Sequence, residues 1–349
     1  MSAYDLPLDQ LHAYRPERTE PEDFDAFWRE TLAESRAAAP SPVFTDVGTP
    51  LRTVSVQDVT FGGFAGQPIK AWLLAPTGVA GGLSTVIEYL GYGGGRSYPF
   101  QWLRWAAAGY AHLVVDTRGQ GSEWSPGDTP HREGPDGTAS GSFPGFVTRG
   151  IERPESWYYR RLVADAVLAL DAAKAHPLVD PARLIVTGQS QGGGLALAVA
   201  GLSSDVRAAA IDVPFMCHWR RAVEVTDAFP YQELRRYLAI HREREADVFR
   251  TLAYVDGLNF AARASAPAHF SVGLMDEVCP PSTVFAAFNH YNGPKEIRVW
   301  PFNGHEAGEL PGQSDRYSFF AGLGLATEDP GPGRPARSPC LRRRRQSGR

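Results

Sequence analysis

Short, uninterrupted apolar runs recur along the chain from residue 85 onward, and helical segments separate them. Apolarity at every position, rather than at every second one, is typical of strands covered on both faces, as in a parallel sheet with helices on each side. The clearest intervening helix is predicted over residues 157–176, where Leu162, Val163 and Ala166 belong to one apolar stripe. The predicted strands are residues 85–90, 112–116, 183–187, 208–213, 269–274 and 296–300. Together they predict an α/β fold with a doubly wound, mostly parallel sheet.

The chain before residue 80 follows a different pattern. Residues 20–38 open with a proline and acidic residues and carry aromatic residues at helical spacing, which predicts a helix packed on the sheet. Residues 53–61 alternate apolar and polar positions, and residues 68–74 follow after a glycine-rich turn. This pattern predicts an antiparallel hairpin.

Two long segments interrupt the alternation of strands and helices. Residues 121–151 are rich in glycine, proline and aspartate, whereas residues 218–260 have a helical, charged pattern. Loops of this length usually cover a functional site or form an interface, and we assign the second segment to a helical cap near the site. The proline, glycine and arginine content of residues 326–349 predicts a disordered tail after a single domain over residues 1–325. A nucleic-acid-binding arm and a non-native extension are alternatives for this tail.

The composition narrows the possible functions. With 349 residues and 43% hydrophobic content, the chain can bury a full core, and its net charge of −4 gives no basic field for nucleic acid. The nine histidines lack the spacing of a zinc site, so we expect no metal. The start of the chain lacks a signal-peptide pattern and no run of about 18 apolar residues occurs, which favours a cytoplasmic protein without a membrane anchor. Three irregularly spaced cysteines agree with a reducing compartment.

A serine stands where one predicted strand turns into a helix. The pentapeptide Gly-Gln-Ser-Gln-Gly at 188–192 follows an apolar run, and a helix-forming stretch continues to residue 201. A serine at such a turn has a strained backbone and an exposed hydroxyl, and small residues two positions away on either side let strand and helix pack closely. Such pentapeptides also occur by chance in glycine-rich turns. The strand before and the helix after favour Ser190 as a nucleophile.

An acid and a histidine follow later strands in the order that such a site requires. Asp276 comes after the penultimate predicted strand, and His305 comes after the last strand and a short turn. Asp276 could instead be a turn residue, and Glu277 beside it is a competing acid. The position of Asp276 ahead of a histidine that also follows a strand favours the catalytic interpretation. His305 would act as general base for Ser190, and Asp276 would orient the imidazole ring.

Acyl transfer also needs hydrogen-bond donors for the developing oxyanion. In this arrangement they are the backbone N–H after the nucleophile and one from the loop after an early strand. Gln191 supplies the first, and Tyr92 in the glycine-rich loop 91–95 is our candidate for the second. A glycine-rich loop can instead cradle phosphate, but this spacing matches neither a P-loop nor a dinucleotide-binding fingerprint.

Three motifs follow one another along the chain: Arg-Gly-Gln at 118–120, Gly-x-Ser-Gln-Gly at 188–192 and His-Glu at 305–306. With these motifs in this order, the chain resembles the acetyl xylan esterases and cephalosporin C deacetylases of carbohydrate esterase family 7. The resemblance covers roughly residues 3–323. It implies an α/β-hydrolase fold and a serine esterase, without a cofactor, that removes acetyl groups from short xylo-oligosaccharides and from cephalosporin-type acetates.

The resemblance also implies site residues and an assembly. Arg118 and Gln120, which match the first motif, are expected to brace the serine turn and not to take part in the chemistry. The expected partners are small acetyl esters, and the expected assembly is a hexamer of stacked dimers whose active sites face an internal cavity. Carried over by residue, the catalytic triad is Ser190, Asp276 and His305, and the oxyanion donors are Tyr92 and Gln191.

Two positions depart from the family pattern. Gln189 precedes the serine where the family usually has glycine, which could alter the strain of the turn or crowd a neighbouring loop. The family's C-terminal helix also ends early, after residue 323, where the tail replaces it. The alternative functions are a prolyl-type serine peptidase, another short-acyl carboxylesterase and a non-catalytic binding protein on the same fold.

Overall fold

A nine-stranded sheet runs through the centre of the computed structural model, which describes residues 5–132 and 142–326. The strand order is β1-β2-β3-β5-β4-β6-β7-β8-β9, for strands β1 (Val43–Asp46), β2 (Val54–Gly62), β3 (Pro68–Pro76), β4 (Leu83–Tyr89), β5 (Ala111–Val115), β6 (Val179–Gln189), β7 (Val206–Asp212), β8 (Ala268–Gly273) and β9 (Lys295–Trp300). The pairings β1–β2, β2–β3 and β3–β5 are antiparallel. All the other pairings are parallel. The predicted α/β-hydrolase fold with a mostly parallel sheet is confirmed.

Helices cover both faces of the sheet. Those in the described ranges are α1 (Leu8–Ala13), α2 (Phe24–Ala38), α3 (Leu103–Ala107), α4 (Tyr158–Lys174), α5 (Gln191–Leu202), α6 (Trp219–Val225), α7 (Tyr231–Ile240), α8 (Glu245–Ala253), α9 (Gly257–Ala261), α10 (Pro281–His290) and α11 (Glu309–Gly322). Neighbouring residues of β4 face opposite layers: Ile87 packs with α4 and α5, whereas Val86 packs with α3 and α11. Because both faces are covered, both positions must be apolar, which explains the uninterrupted runs in the sequence.

The predicted elements are present, with bounds that differ by a few residues. The hairpin is formed by β2 and β3, which pair from Val54 opposite Pro76 to Gly62 opposite Pro68. The helix predicted over residues 157–176 is α4, and the one predicted within 20–38 is α2. The sequence patterns missed α1 and β1, which have six and four residues, because such short elements show no clear period.

The two long segments are built differently. Residues 218–260 contain α6 to α9, so the helical interpretation of that segment is confirmed. Its last helix, α9, packs on α5, and Phe229 and Pro230 reach the cleft that contains the candidate serine. In the other segment, the described residues 121–132 and 142–151 form turns and isolated bridges, among them the bridge between Ser125 and Gly94.

Several sequence predictions include residues outside the described ranges. The residues concerned are 1–4 at the start of the chain, 133–141 in the first long segment and 327–349 in the predicted tail. The division into one domain over 1–325 and a tail therefore stays a prediction. The described helices include none whose length and hydropathy would let it cross a membrane.

Candidate active site

Ser190 lies at the tight turn between β6 and α5, which we call the elbow (residues 188–192). Its φ is 59° and its ψ is −120°, a conformation that side-chain-bearing residues rarely adopt. Three backbone hydrogen bonds hold it: Ser190 N–H donates to Asp212 O at 3.0 Å, and Ser190 O accepts from Gly194 N–H at 3.0 Å and from Phe215 N–H at 2.9 Å. The last residue of β7 and the segment just after it therefore help to stabilise this strained conformation.

The glycines of the elbow are required by close backbone contact. A Cβ on Gly188 would lie 2.3 Å from the backbone carbon of Gly192. One on Gly192 would lie 2.1 Å from the backbone oxygen of Tyr89, at the end of β4. Both distances are well below van der Waals contact, so any larger residue would push the helix away from the sheet.

The structure brings Asp276 and His305 together. Asp276 Oδ2 lies 2.8 Å from His305 Nδ1, and Asp276 Oδ1 accepts hydrogen bonds from Val278 N–H at 2.8 Å and Cys279 N–H at 2.9 Å. The Asp276 side chain is fully buried, whereas the His305 side chain is 28% exposed. The competing acid, Glu277, points to solvent. Two backbone donors thus orient the carboxylate that holds the imidazole.

Ser190 and His305 line one cleft of about 680 Å³ at the carboxyl ends of the parallel strands. The same cleft is bordered by aromatic and apolar side chains, among them Tyr92, Trp124, Phe229, Pro230 and Val278. In the described structure the Ser190 hydroxyl makes no hydrogen bond to His305. Such bonds are often loose in an enzyme without substrate and tighten in the Michaelis complex.

Cys279 is the other buried nucleophile next to the serine. Burial raises the pKa of the Cys279 thiol well above its ordinary value, and the nearby Asp276 acts in the same direction, against a smaller opposite effect of a hydrogen bond with Ser190. The thiol therefore stays protonated at neutral pH. Because the thiolate is the reactive form of cysteine, Cys279 is a poor competitor to Ser190.

Two backbone amides are available beside the serine. The N–H groups of Gln191 and Tyr92 donate to no acceptor in the described ranges. The peptide groups around Tyr92 are fixed, because Trp124 Nε1 donates to Tyr92 O at 2.8 Å and Gly93 N–H donates to Gln120 Oε1 at 2.7 Å. The predicted oxyanion donors are thus free of internal partners, on a loop whose neighbouring groups are anchored.

The sequence did not predict the role of Glu233, at the start of α7. Its carboxylate accepts hydrogen bonds from the Tyr92 hydroxyl and from Gly145 N–H and Val147 N–H, the last two at 3.0 Å each. Burial raises the pKa of Glu233. Burial also raises the pKa of Tyr92, and the negative charge of Glu233 raises it further. Glu233 therefore ties the cap to the Tyr92 loop. Nothing local in its charged helical segment signals this contact.

Glu306, next to the histidine, has only local partners. It accepts from Asn303 Nδ2 at 2.7 Å and from Gly304 N–H at 2.9 Å. The hydrogen bond from Asn303 is the main cause that lowers the pKa of Glu306. In the ranges that the structure describes, no three histidine, cysteine or acidic side chains converge to hold a metal ion.

A family model for acetyl xylan esterase (AXE1) matches residues 1–323. The chain belongs to the acetyl xylan esterase family. It is 40% identical to an acetyl xylan esterase from Paenibacillus sp. R4, and the match covers 92% of this chain and 100% of that one with a TM-score of 0.82. Acetyl xylan esterase 1 from Thermoanaerobacterium sp. JW/SL YS485 is 33% identical over 93% of this chain and 100% of its own, with a TM-score of 0.81.

More distant relatives agree with this family and fold. The curated acetyl esterase Axe7A from Xylanibacter ruminicola is 28% identical over 309 residues, which are 83% of this chain. The match spans 65% of the length of that relative. An acylaminoacyl peptidase from Pyrococcus horikoshii is 15% identical, with a TM-score of 0.56 over 81% of this chain and 44% of its own, and that likeness shows the fold alone.

The esterase-family motif at 118–120 supports the site through two different contacts. Gln120 reaches the elbow: its Nε2 donates to Gln191 Oε1 at 3.0 Å, while its Oε1 accepts from Gly93 N–H. Arg118 instead pairs with the buried Asp165 of α4, donating from Nη2 to Asp165 Oδ1 at 2.7 Å and from Nε to Asp165 Oδ2. Gln120 thus links the two loops that present the amide donors, whereas Arg118 anchors the motif to α4.

The buried ion pair of Arg118 should be important for stability. We expect Arg118→Met to lower the free energy of unfolding by about 3–5 kcal/mol, because Asp165 would stay buried without its cation. The matched control is Arg36→Met. Arg36 pairs with Asp171, which lies on α4 like Asp165 but in a more exposed position. An ion pair at such a position is worth at most about 1 kcal/mol. Denaturant unfolding measures the free energy of unfolding of both variants and of the wild type. Equal losses in the two variants would contradict the interpretation.

Proposed function

We propose that this protein is a serine esterase that removes acetyl groups from xylo-oligosaccharides and related small esters through an acyl-enzyme. The observation that carries the proposal is the convergence of three features on one cleft. These are Ser190 on a strained elbow, His305 held by Asp276, and two amide groups near the serine that have no partner among the described residues. Together they provide a nucleophile, a general base and an oxyanion site.

The proposed reaction has two steps. Ser190 Oγ attacks the acetyl carbonyl while its proton passes to His305 Nε2, and the Gln191 and Tyr92 amides stabilise the oxyanion. The intermediate collapses when the C–O bond to the alcohol breaks and His305 returns the proton to the leaving oxygen. Water, activated by His305, then releases acetate and restores the serine. Asp276 keeps the Nδ1 proton in place and stabilises the imidazolium.

The names of the relatives support the acetyl group as the acyl part. The structures from Paenibacillus and Thermoanaerobacterium are acetyl xylan esterases, and the curated relative is an acetyl esterase. From the resemblance to carbohydrate esterase family 7 we extend the proposal to cephalosporin C-type acetates, to a hexameric assembly and to a cytoplasmic location. The chemistry proposed for the site needs no cofactor.

The test is acid release from three substrates in parallel: p-nitrophenyl acetate, p-nitrophenyl octanoate and an acetylated xylo-oligosaccharide. We expect kcat/KM for the acetate to exceed that for the octanoate by more than about tenfold, because the named relatives of this chain are acetyl esterases. Acetate should also be released from the oligosaccharide. Cleavage of aminoacyl-proline substrates without acetyl esterase activity would instead indicate a prolyl-type peptidase.

A further inference from the structure

We propose that Gln189 is a positioning residue that holds His305 in place against Ser190, an inference that rests on the proposed function. Gln189 Nε2 donates a hydrogen bond of 2.6 Å to the backbone oxygen of His305, 116 positions later in the chain. Within the described ranges, this is the one hydrogen bond between the elbow, residues 188–192, and the histidine loop, residues 301–308. Gln189 also lines the cleft beside both side chains.

The histidine loop needs such a contact because its own backbone is strained. Ala307 in this loop and Glu309 directly after it both have positive φ values, of 55° and 42°, which residues with a side chain rarely adopt. A conformation of this kind persists only where the surrounding structure supports it. Asp276 fixes the ring of His305 through Nδ1, whereas Gln189 fixes the backbone that carries the ring. Together the two contacts determine where Nε2 lies relative to the serine.

The contact depends on the side chain at position 189. The resemblance to carbohydrate esterase family 7 implies glycine here, and a glycine has no group that could reach the His305 carbonyl. The elbow glycines 188 and 192 are constrained by backbone contacts of less than 3 Å, but position 189 points into the exposed cleft and accepts a long side chain. In this chain, therefore, the elbow supports its own general base directly.

Gln189→Met tests the proposal, because it keeps the length of the side chain and removes the donor. We expect kcat for p-nitrophenyl acetate to fall about threefold to tenfold, with KM unchanged within about twofold, since misplacing the base affects the transition state more than binding. Gln189→Lys keeps an N–H donor of sufficient reach, and its kcat should stay within about twofold of wild type. Thermal unfolding of each variant is recorded alongside.

Three steady-state results would overturn the proposal: a wild-type kcat in Gln189→Met, a change in KM alone, or a fall in kcat that Gln189→Lys does not restore. A change in KM alone would mean that Gln189 only lines the cleft. The rate at which a p-nitrophenyl phosphonate labels Ser190 separates this inference from the proposed function. An unlabelled wild type would contradict the proposed function, whereas equal labelling rates in wild type and Gln189→Met would contradict only the positioning role.

Discussion

The Ser190→Ala variant should hydrolyse p-nitrophenyl acetate with a kcat about 10⁴-fold to 10⁶-fold below that of the wild type. The Ser190 hydroxyl supplies the oxygen that attacks the ester and the proton that His305 accepts. Without it, neither nucleophilic attack nor general-base catalysis by the triad can take place. The fold should persist, because the hydrogen bonds that the Ser190 backbone donates to Asp212 and accepts from Phe215 do not involve the serine side chain. Initial rates by release of p-nitrophenolate measure the effect.

Ser265→Ala is the matched control for that variant. Ser265 is exposed and precedes β8, so it lies at the end of the sheet opposite the elbow. The esterase activity of the Ser265→Ala variant should equal that of the wild type. Stoichiometric labelling by a phosphonate ester should occur in the wild type and in Ser265→Ala and be absent from Ser190→Ala. Turnover near the wild-type rate in a pure Ser190→Ala sample would exclude Ser190 as the nucleophile.

Asp276→Asn should lower kcat by about 10⁴-fold through the tautomer of the histidine. Oδ1 of Asp276 faces two backbone N–H groups, so the carboxamide of the variant would keep its oxygen on that side. Its NH₂ group would then face His305 Nδ1 and favour the tautomer with the proton on Nε2. That nitrogen could no longer accept the proton of the serine. Steady-state kinetics with p-nitrophenyl acetate measure the loss.

Glu277→Gln is the control for the acidic position. Glu277 neighbours Asp276 in sequence, but its side chain is exposed, so its variant should keep kcat within about twofold of wild type. A large loss in Glu277→Gln together with a small loss in Asp276→Asn would reverse the assignment of the acid. Because the two residues are adjacent, the pair of variants separates a specific contact with His305 from a general effect of negative charge.

Most of the sheet could be predicted from the sequence because the burial of a strand requires a local pattern of apolar residues. A strand covered on both faces must be apolar at successive positions, as Val86 and Ile87 are, and a helix on such a sheet repeats its apolar residues at helical spacing. The elbow was also predictable, because its glycines and serine are adjacent in the chain. The short elements α1 and β1 were missed because four to six residues carry too little pattern.

The mostly parallel α/β sheet and the order of the candidate nucleophile, acid and histidine could be inferred from local sequence, because each depends on the residues just before and after it. Which of these groups meet depends on the tertiary fold. Glu233 contacts the Tyr92 hydroxyl across 141 positions, and Gln189 contacts His305 across 116. Such contacts depend on how separate loops are placed at one edge of the sheet. A hydrogen bond between distant side chains leaves no periodic signal in either segment, so no local pattern could have predicted it.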